Sequence, residues 1–262
     1  IRPGDEAVIG ANTFSMYRIC VQGFGGRLTA VPLEDHRFDL VAMARAVTER
    51  TRLIFVAIPN SPTGTIVSRG DFESFLGDLP GEGILLVVDE AYREYVREED
   101  CPQGIDYVGK RVPILVLRTF SKIYGLAGLR IGYGISESWL IELMNRVRPP
   151  FNVNSTAQAA AIAALTDSDH VEKSRVLTEQ GMRFLEEELG KLGLSVIPSQ
   201  ANFLTFCMEQ DARLVYEALL REGVIVRHLG SFGMNRCIRV TIGKEHENRR
   251  FIDALKKVKP TR

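Results

Sequence analysis

Short aliphatic runs separated by longer stretches of mixed polarity set the rhythm of this chain. Ala7–Ile9, Leu28–Val31, Leu53–Ile58, Ile84–Val88 and Ile114–Leu117 are almost wholly apolar and rich in β-branched residues, the pattern of strands buried on both faces. Between them, apolar positions return at helical intervals, as in Leu40–Thr48 and Asp71–Leu79, where Asp71 is placed to cap its helix. Alternating strands and helices predict an α/β fold, a mostly parallel sheet covered by helices. Ligands of such sheets bind beyond the carboxyl ends of the strands, so residues that carry chemistry should directly follow the aliphatic runs.

From about Pro149 the character changes. Ala157–Leu165 reads as an alanine-rich helix and Val171–Leu189 as a long amphipathic helix ending at Gly190. Strands are expected near Ser195–Ile197, Asn202–Cys207, Val224–Val226 and Cys237–Ile242, and a last helix over Glu247–Lys257. This pattern suggests a large domain over residues 1–155, then a connecting helix and a smaller α/β domain over 156–262. The opening stretch, Ile1–Glu6, reads as a loop running straight into strand Ala7–Ile9, with no initiator methionine and no helix to cover that strand. The expectation is a chain that lacks an N-terminal piece.

Composition narrows the function more than the fold. The length of 262 residues suits one large or two modest domains. A formal net charge of zero gives no field to recruit nucleic acid or a membrane surface, so neither is an expected partner. No apolar run approaches the length of a bilayer span. The four cysteines, Cys20, Cys101, Cys207 and Cys237, show no paired spacing, which predicts reduced, mostly buried thiols in a cytosolic protein. The four histidines are equally dispersed, so no metal site is expected.

Three polar clusters follow three of the aliphatic runs: Pro59-Asn60-Ser61-Pro62-Thr63-Gly64, Asp89-Glu90-Ala91-Tyr92, and Thr119-Phe120-Ser121-Lys122 with Arg130 beyond. Each is weak alone. A carboxylate closing an aliphatic run is costly to bury unless a cation or donor meets it, but it is as often a helix cap. A lysine after a strand is usually a solvated cation, and a Pro-Thr-Gly segment usually only a turn.

In this order and spacing, the three clusters resemble the fold-type I enzymes that use pyridoxal 5′-phosphate (PLP), and most closely the histidinol-phosphate aminotransferases. The resemblance continues through Gly128-Leu129-Arg130-Ile131-Gly132, Arg148-Pro149-Pro150-Phe151-Asn152-Val153-Asn154, Pro198-Ser199-Gln200-Ala201-Asn202-Phe203 and Arg239-Val240-Thr241-Ile242-Gly243. It implies that Lys122 holds PLP as a Schiff base and then shuttles the substrate proton, since a lysine amine forms a reversible imine with an aldehyde. Asp89 would pair with the pyridine nitrogen, which also resolves its burial. Tyr92 would donate to the ring oxygen, Phe14 would stack on the ring face, and Thr119, Ser121 and Arg130 would hold the cofactor phosphate. Relatives carry asparagine directly before Pro-Thr-Gly; here Ser61 stands there with Asn60 one residue earlier, and either could contact the ring.

The same resemblance implies a substrate site at Arg227 and Arg239, with Asn154 nearby. Two arginines suit a phosphate monoester, and the same pair would accept the carboxylate of glutamate in the other half-reaction. The expected reaction joins L-histidinol phosphate as amino donor and 2-oxoglutarate as the 2-oxo acid, within histidine biosynthesis, in a cytoplasmic homodimer. Alternatives are an aromatic or other amino acid aminotransferase, a threonine-phosphate decarboxylase-like enzyme, or a catalytically inactive α/β binding module. Against the last, no Walker-type loop exists, and no glycine fingerprint opens a helix after the first strand.

Overall fold

β-Branched and aliphatic residues cluster where strands form, and the computed structural model, which describes residues 1–258, orders them as two larger sheets and one two-stranded hairpin. In chain order the elements are β1 (Glu6–Gly10), α1 (Ser15–Gly23), β2 (Arg27–Val31), the hairpin β3 (Leu33–Glu34) and β4 (Arg37–Phe38), α2 (Leu40–Arg45), β5 (Thr51–Ala57), α3 (Arg69–Asp78), β6 (Leu85–Asp89), β7 (Ile114–Thr119), β8 (Gly132–Ile135), α4 (Ser138–Val147), α5 (Ser155–Thr166), α6 (Ser168–Lys191), β9 (Ser195–Ile197), β10 (Phe203–Cys207), α7 (Arg213–Arg221), β11 (Arg227–His228), β12 (Cys237–Thr241) and α8 (Glu245–Val258).

The first sheet runs β2-β1-β5-β6-β7-β8, parallel except for β8, which pairs antiparallel with β7. Its interior strands are buried on both faces, as their unbroken apolar runs require. Val8, Ile54, Val56, Leu86, Val88, Ile114 and Val116 form a core with Met43 of α2 and Phe72 and Phe75 of α3. The second sheet, β11-β12-β10-β9, is antiparallel. Its Leu204, Phe206, Ile238 and Val240 pack on Met182, Leu185 and Leu189 of α6 and on Phe251 and Leu255 of α8. Residues 259–262, the end of the expected second domain, lie outside the described residues.

Several expectations need correction. Asp71 does not cap α3; Ser68 does, its hydroxyl accepting from the Asp71 N–H at 3.0 Å and donating back to the Asp71 carboxylate at 2.6 Å. Asp71 therefore sits at the third helical position, bonded to the cap through both its N–H and its carboxylate. Helix α6 begins at Ser168, where the Asp167 side chain accepts from the His170 N–H, and runs through Gly190 to Lys191. Val224–Val226 is not a strand; the short β11 follows it at Arg227–His228. Strand β1 is covered after all, by α2. Helices α1, α4 and α7 and the β3–β4 hairpin lie in stretches to which the apolar pattern assigned no element.

The thiol expectation also fails. Cys207 and Cys237 are joined in a disulfide, and Cys20 is exposed, leaving only Cys101 as a buried free thiol. The two bridged residues stand opposite each other in the β10–β12 ladder. The Cys237 N–H is spent on Met234 O, and Met208 N–H reaches Arg236 O. They thus occupy a non-hydrogen-bonded site, where facing side chains come closest. Thirty residues separate them in sequence, so register, and not spacing, creates the pair.

The two sheets meet at the turn after β5. Thr205 of β10 donates to the Pro62 carbonyl at 2.5 Å, and the Gln200 N–H reaches Gly64 O at 2.8 Å. Arg97 completes the contact, its N–H donating to the Gln200 side chain and its guanidinium to Ser199 O. Gly64 has φ +79°, and a Cβ there would overlap the Ser199 side chain, so both backbone conformation and space demand glycine.

Candidate active site

Ala57, Asp89 and Leu117 stand in register at the carboxyl ends of β5, β6 and β7. The three polar clusters that follow these strands are therefore brought to one edge, as the strand-end rule requires. There they border a cavity of about 270 Å³, close to the roughly 300 Å³ at which small-molecule sites begin. Of the residues singled out by sequence, Phe14, Ser61, Asp89, Tyr92, Lys122, Arg227 and Arg239 line it; Ser15, Tyr17 and Phe232 join them.

Two neighbouring carboxylates differ in what meets them. Glu90 is 1% exposed and fully partnered, by Arg118 at 2.8 and 2.9 Å and by the Gly104 N–H at 2.6 Å. Among the described residues, no cation is in hydrogen-bond contact with Asp89. It accepts from the Tyr17 hydroxyl at 2.5 Å and from the Ala91 N–H at 3.0 Å. Burial pushes the Asp89 carboxyl above the usual carboxylate range, opposed by the Tyr17 hydroxyl, the Ala91 N–H and the charge of Lys122. Such a carboxylate fits a cationic ring N–H in the cavity, which would supply the missing partner.

Tyr17 is the functional candidate that sequence reasoning missed. It is 5% exposed, its ring stacks on Phe55 at 4.6 Å between centroids, and Phe14 meets it edge-on at 5.6 Å. Burial and the adjacent Asp89 hold its phenol well above its ordinary value, so it stays a donor. The available signal was its spacing from Phe14, three positions apart at the start of a helix and so on one face.

Lys122 leaves the end of β7 with its Nζ 4.9 Å from the centre of the Tyr92 ring. Tyr92 in turn meets Phe203 edge-on at 5.2 Å. The cavity thus offers a primary amine, a half-buried carboxylate and the half-exposed aromatic Phe14, a donor set that fits PLP.

The opposite wall is cationic. Arg227 and Arg239 are direct partners in the β11–β12 register, and neither forms an ion pair with a carboxylate among the described residues. Arg239 lies 4.8 Å over the Phe203 ring and donates to the Ser61 hydroxyl at 2.8 Å, while Arg227 lies 5.9 Å from the Phe232 ring. Burial, and then the nearby charge of Arg227, bring the Arg239 guanidinium below its ordinary value, with Tyr92 acting the other way. Two cations held together without counter-charge make a receptor for an anion.

The remaining expectations separate. Between Asn60 and Ser61, only Ser61 faces the cavity. Asn60 is fully buried, its oxygen accepting from Thr13 and its amide donating to Asn12 O and Thr63 Oγ1. Asn154 does not reach the cavity because its side chain caps α5, accepting from the Ala157 N–H. Thr119, Ser121 and Arg130 are not in the cavity wall either. The Thr119 hydroxyl accepts from the Ser121 N–H, and Arg130, exposed and at φ +54°, donates to Ala127 O at 2.6 Å.

A family model described as aminotransferase class I and II matches residues 1–255. The histidinol-phosphate aminotransferase of Moorella thermoacetica is 48% identical over 259 residues, covering 98% of this chain and 67% of that protein. Histidinol-phosphate aminotransferase 1 of Nitrosococcus oceani is 49% identical over 258 residues, covering 98% of this chain and 70% of that protein. Among solved structures, histidinol-phosphate aminotransferase from Sinorhizobium meliloti in complex with pyridoxal-5′-phosphate superposes with a TM-score of 0.92 at 31% identity, covering 98% of this chain and 71% of that one.

Proposed function

Because the chain belongs to the class I and II aminotransferase family, we propose that it is a PLP-dependent transaminase acting in histidine biosynthesis. The reaction is L-histidinol phosphate with 2-oxoglutarate, giving imidazole acetol phosphate and L-glutamate. The observation that carries this is the pairing of one cavity's two ends: Lys122 and Asp89 on one side, and the uncompensated Arg227 and Arg239 on the other.

When bound, PLP supplies an aldehyde to hold the amine and a ring that draws electrons from the bond being broken. Lys122 provides the amine that retains the cofactor and, once displaced by substrate, moves a proton at the substrate carbon. Asp89 would keep a proton on the ring nitrogen, with Tyr17 holding Asp89 in place. The Tyr92 and Ser61 hydroxyls would serve the ring oxygen, and Phe14 would cover the ring face. Arg130, with Thr119 and Ser121, lies outside the cavity wall and would hold the cofactor phosphate, in Arg130's case by giving up the Ala127 carbonyl. Arg227 and Arg239 hold the phosphate of one substrate and the carboxylate of the other in alternate half-reactions.

We further place the two domains at residues 1–155 and 156–262, and the protein in the cytoplasm as a homodimer. No helix among the described residues is long and apolar enough to cross a membrane. Support for the dimer is an apolar surface without cover: α4 buries no residue, and Trp139, Leu143, Val147 and Phe151 are all exposed.

Steady-state assays with histidinol phosphate, phenylalanine, tyrosine and threonine phosphate as donors test the specificity. Histidinol phosphate should give the highest kcat/KM, and Arg239→Ala should raise its KM while the violet absorbance of the bound cofactor persists. A better donor among the others would refute the substrate, and loss of colour in Arg239→Ala would refute the place given to that arginine.

A further inference from the structure

We propose that the Cys207–Cys237 disulfide is a redox site that sets the stance of Arg239 over the active-site cavity. The inference rests on the function proposed above, in which Arg239 meets the substrate anion. Side chains two apart on a strand share a face, so Cys207 lies on the same side of β10 as Thr205, and Cys237 on the same side of β12 as Arg239. Thr205 and Arg239 are direct register partners, as are the two cysteines.

That shared face is the one that docks on the other sheet, through Thr205 to Pro62 O and Arg239 to Ser61. The opposite face, with Leu204, Phe206, Ile238 and Val240, is the core. The cross-link thus closes the strand pair next to the two residues that join it to the cofactor side. It also lies beside β11, since the Leu229 N–H, two residues past Arg227, donates to Cys237 O at 3.1 Å.

Access comes from a separate open cleft of about 600 Å³ between the sheets, lined by Cys237 together with Asn12, Asp35, His36, Asn235 and Arg236. Asn12 separates it from the active site by donating to Phe232 O at 2.5 Å. Arg236 at this opening suits an anionic low-molecular-weight thiol such as glutathione. Its thiolate attacks one of the two sulfurs; the S–S bond breaks, a mixed disulfide forms, and the other cysteine leaves as thiolate and takes a proton. A second thiol attacks the mixed disulfide, freeing the remaining cysteine and releasing the thiol as its own disulfide. Two electrons and two protons have then passed to the protein.

Reduction frees β10 and β12 to shift against each other at this end, and Arg239 loses part of its preorganisation. The test uses the full chain with its cofactor, equilibrated in glutathione buffers of extreme ratio. Denaturation without reductant followed by alkylation should label Cys20 and Cys101 alone in the oxidised sample and all four cysteines in the reduced one. Calorimetric titration with inorganic phosphate should give a Kd severalfold weaker for the reduced form. A Cys207→Ser/Cys237→Ser variant should bind as the reduced form does in both buffers, and Arg239→Ala should abolish the difference.

Labelling of Cys207 and Cys237 in the oxidised sample would overturn the redox site. Equal phosphate affinity in both forms would overturn its link to Arg239. Neither readout depends on turnover, so both remain decisive even where the donor assays contradict the proposed reaction.

Discussion

Asp89 and Glu90 are adjacent, both sit at the end of β6, and their surroundings give them different roles. Glu90 is neutralised by Arg118 and holds the wall together. Asp89 is left to a phenol and one N–H, so without cofactor its charge is costly at the half-buried cavity wall. Its folded-state pKa is raised by burial, which means that the folded protein binds this proton more tightly than the unfolded chain. Stability linked to it is fully present at low pH and is lost as pH rises through the folded value. Asp89→Asn should therefore raise the Tm of the cofactor-free protein at neutral pH, with the gain shrinking as the pH falls, while PLP binding weakens sharply. Thermal melts across pH with and without PLP check both halves; a variant that melts lower at neutral pH contradicts the burial argument. At this scale the candidates were legible through the family resemblance, each strand-end cluster being weak alone; the fold brings Lys122, Asp89, Ser61 and Tyr92 to one cavity. Tyr17 was not, since its partner is 72 residues away and only the β1–α1 geometry brings them together. Asn60 was ambiguous because adjacent residues at a turn point in different directions, and which one faces inward is decided by Thr13, Asn12 and Thr63.

Among elements, the turn after β5 carries the most constraint. It supplies Ser61 to the cavity, Pro62 O to Thr205, and Gly64 to the close approach of Ser199. Gly64→Ala combines a left-handed backbone with overlap of the Ser199 side chain, at a cost of about 1–3 kcal/mol for the backbone alone. Denaturant unfolding should show that loss, and Ser199→Gly in the same chain should restore part of it. An unchanged midpoint for Gly64→Ala would remove the turn from its place as the joint between sheets. The interior parallel strands were readable because burial on both faces leaves a continuous apolar run, whereas the edge strand β2 buries only Val31. Helix α4 went unassigned although Trp139, Leu143 and Val147 form an apolar stripe at helical spacing; none of its residues is buried in the chain, so that stripe has no partner within it. The hairpin of β3 and β4 turns on Asp35 and His36, both at positive φ, without the asparagine-glycine signal that usually announces such a turn.

For the molecule as a whole, the two sheets and their separate cores build one cavity at their junction, with the cofactor chemistry on one side and the anion receptor on the other. The succession of the buried strands followed from sequence rhythm; their order within each sheet and the disulfide across β10 and β12 did not, because pairing and register are properties of the folded sheet. The exposed apolar face of α4 and Phe151 should be covered by a second copy, and light scattering after gel filtration should give twice the chain mass, where a monomer at working concentration would contradict the dimer. One covalent attachment, at Lys122, is central to the proposed chemistry. Holoprotein reduced with borohydride, digested and mapped by mass spectrometry should carry its pyridoxyl group on Lys122 alone, and Lys122→Ala should carry none. A label on any other lysine, or an unlabelled Lys122 in protein saturated with PLP, would contradict the account at its centre.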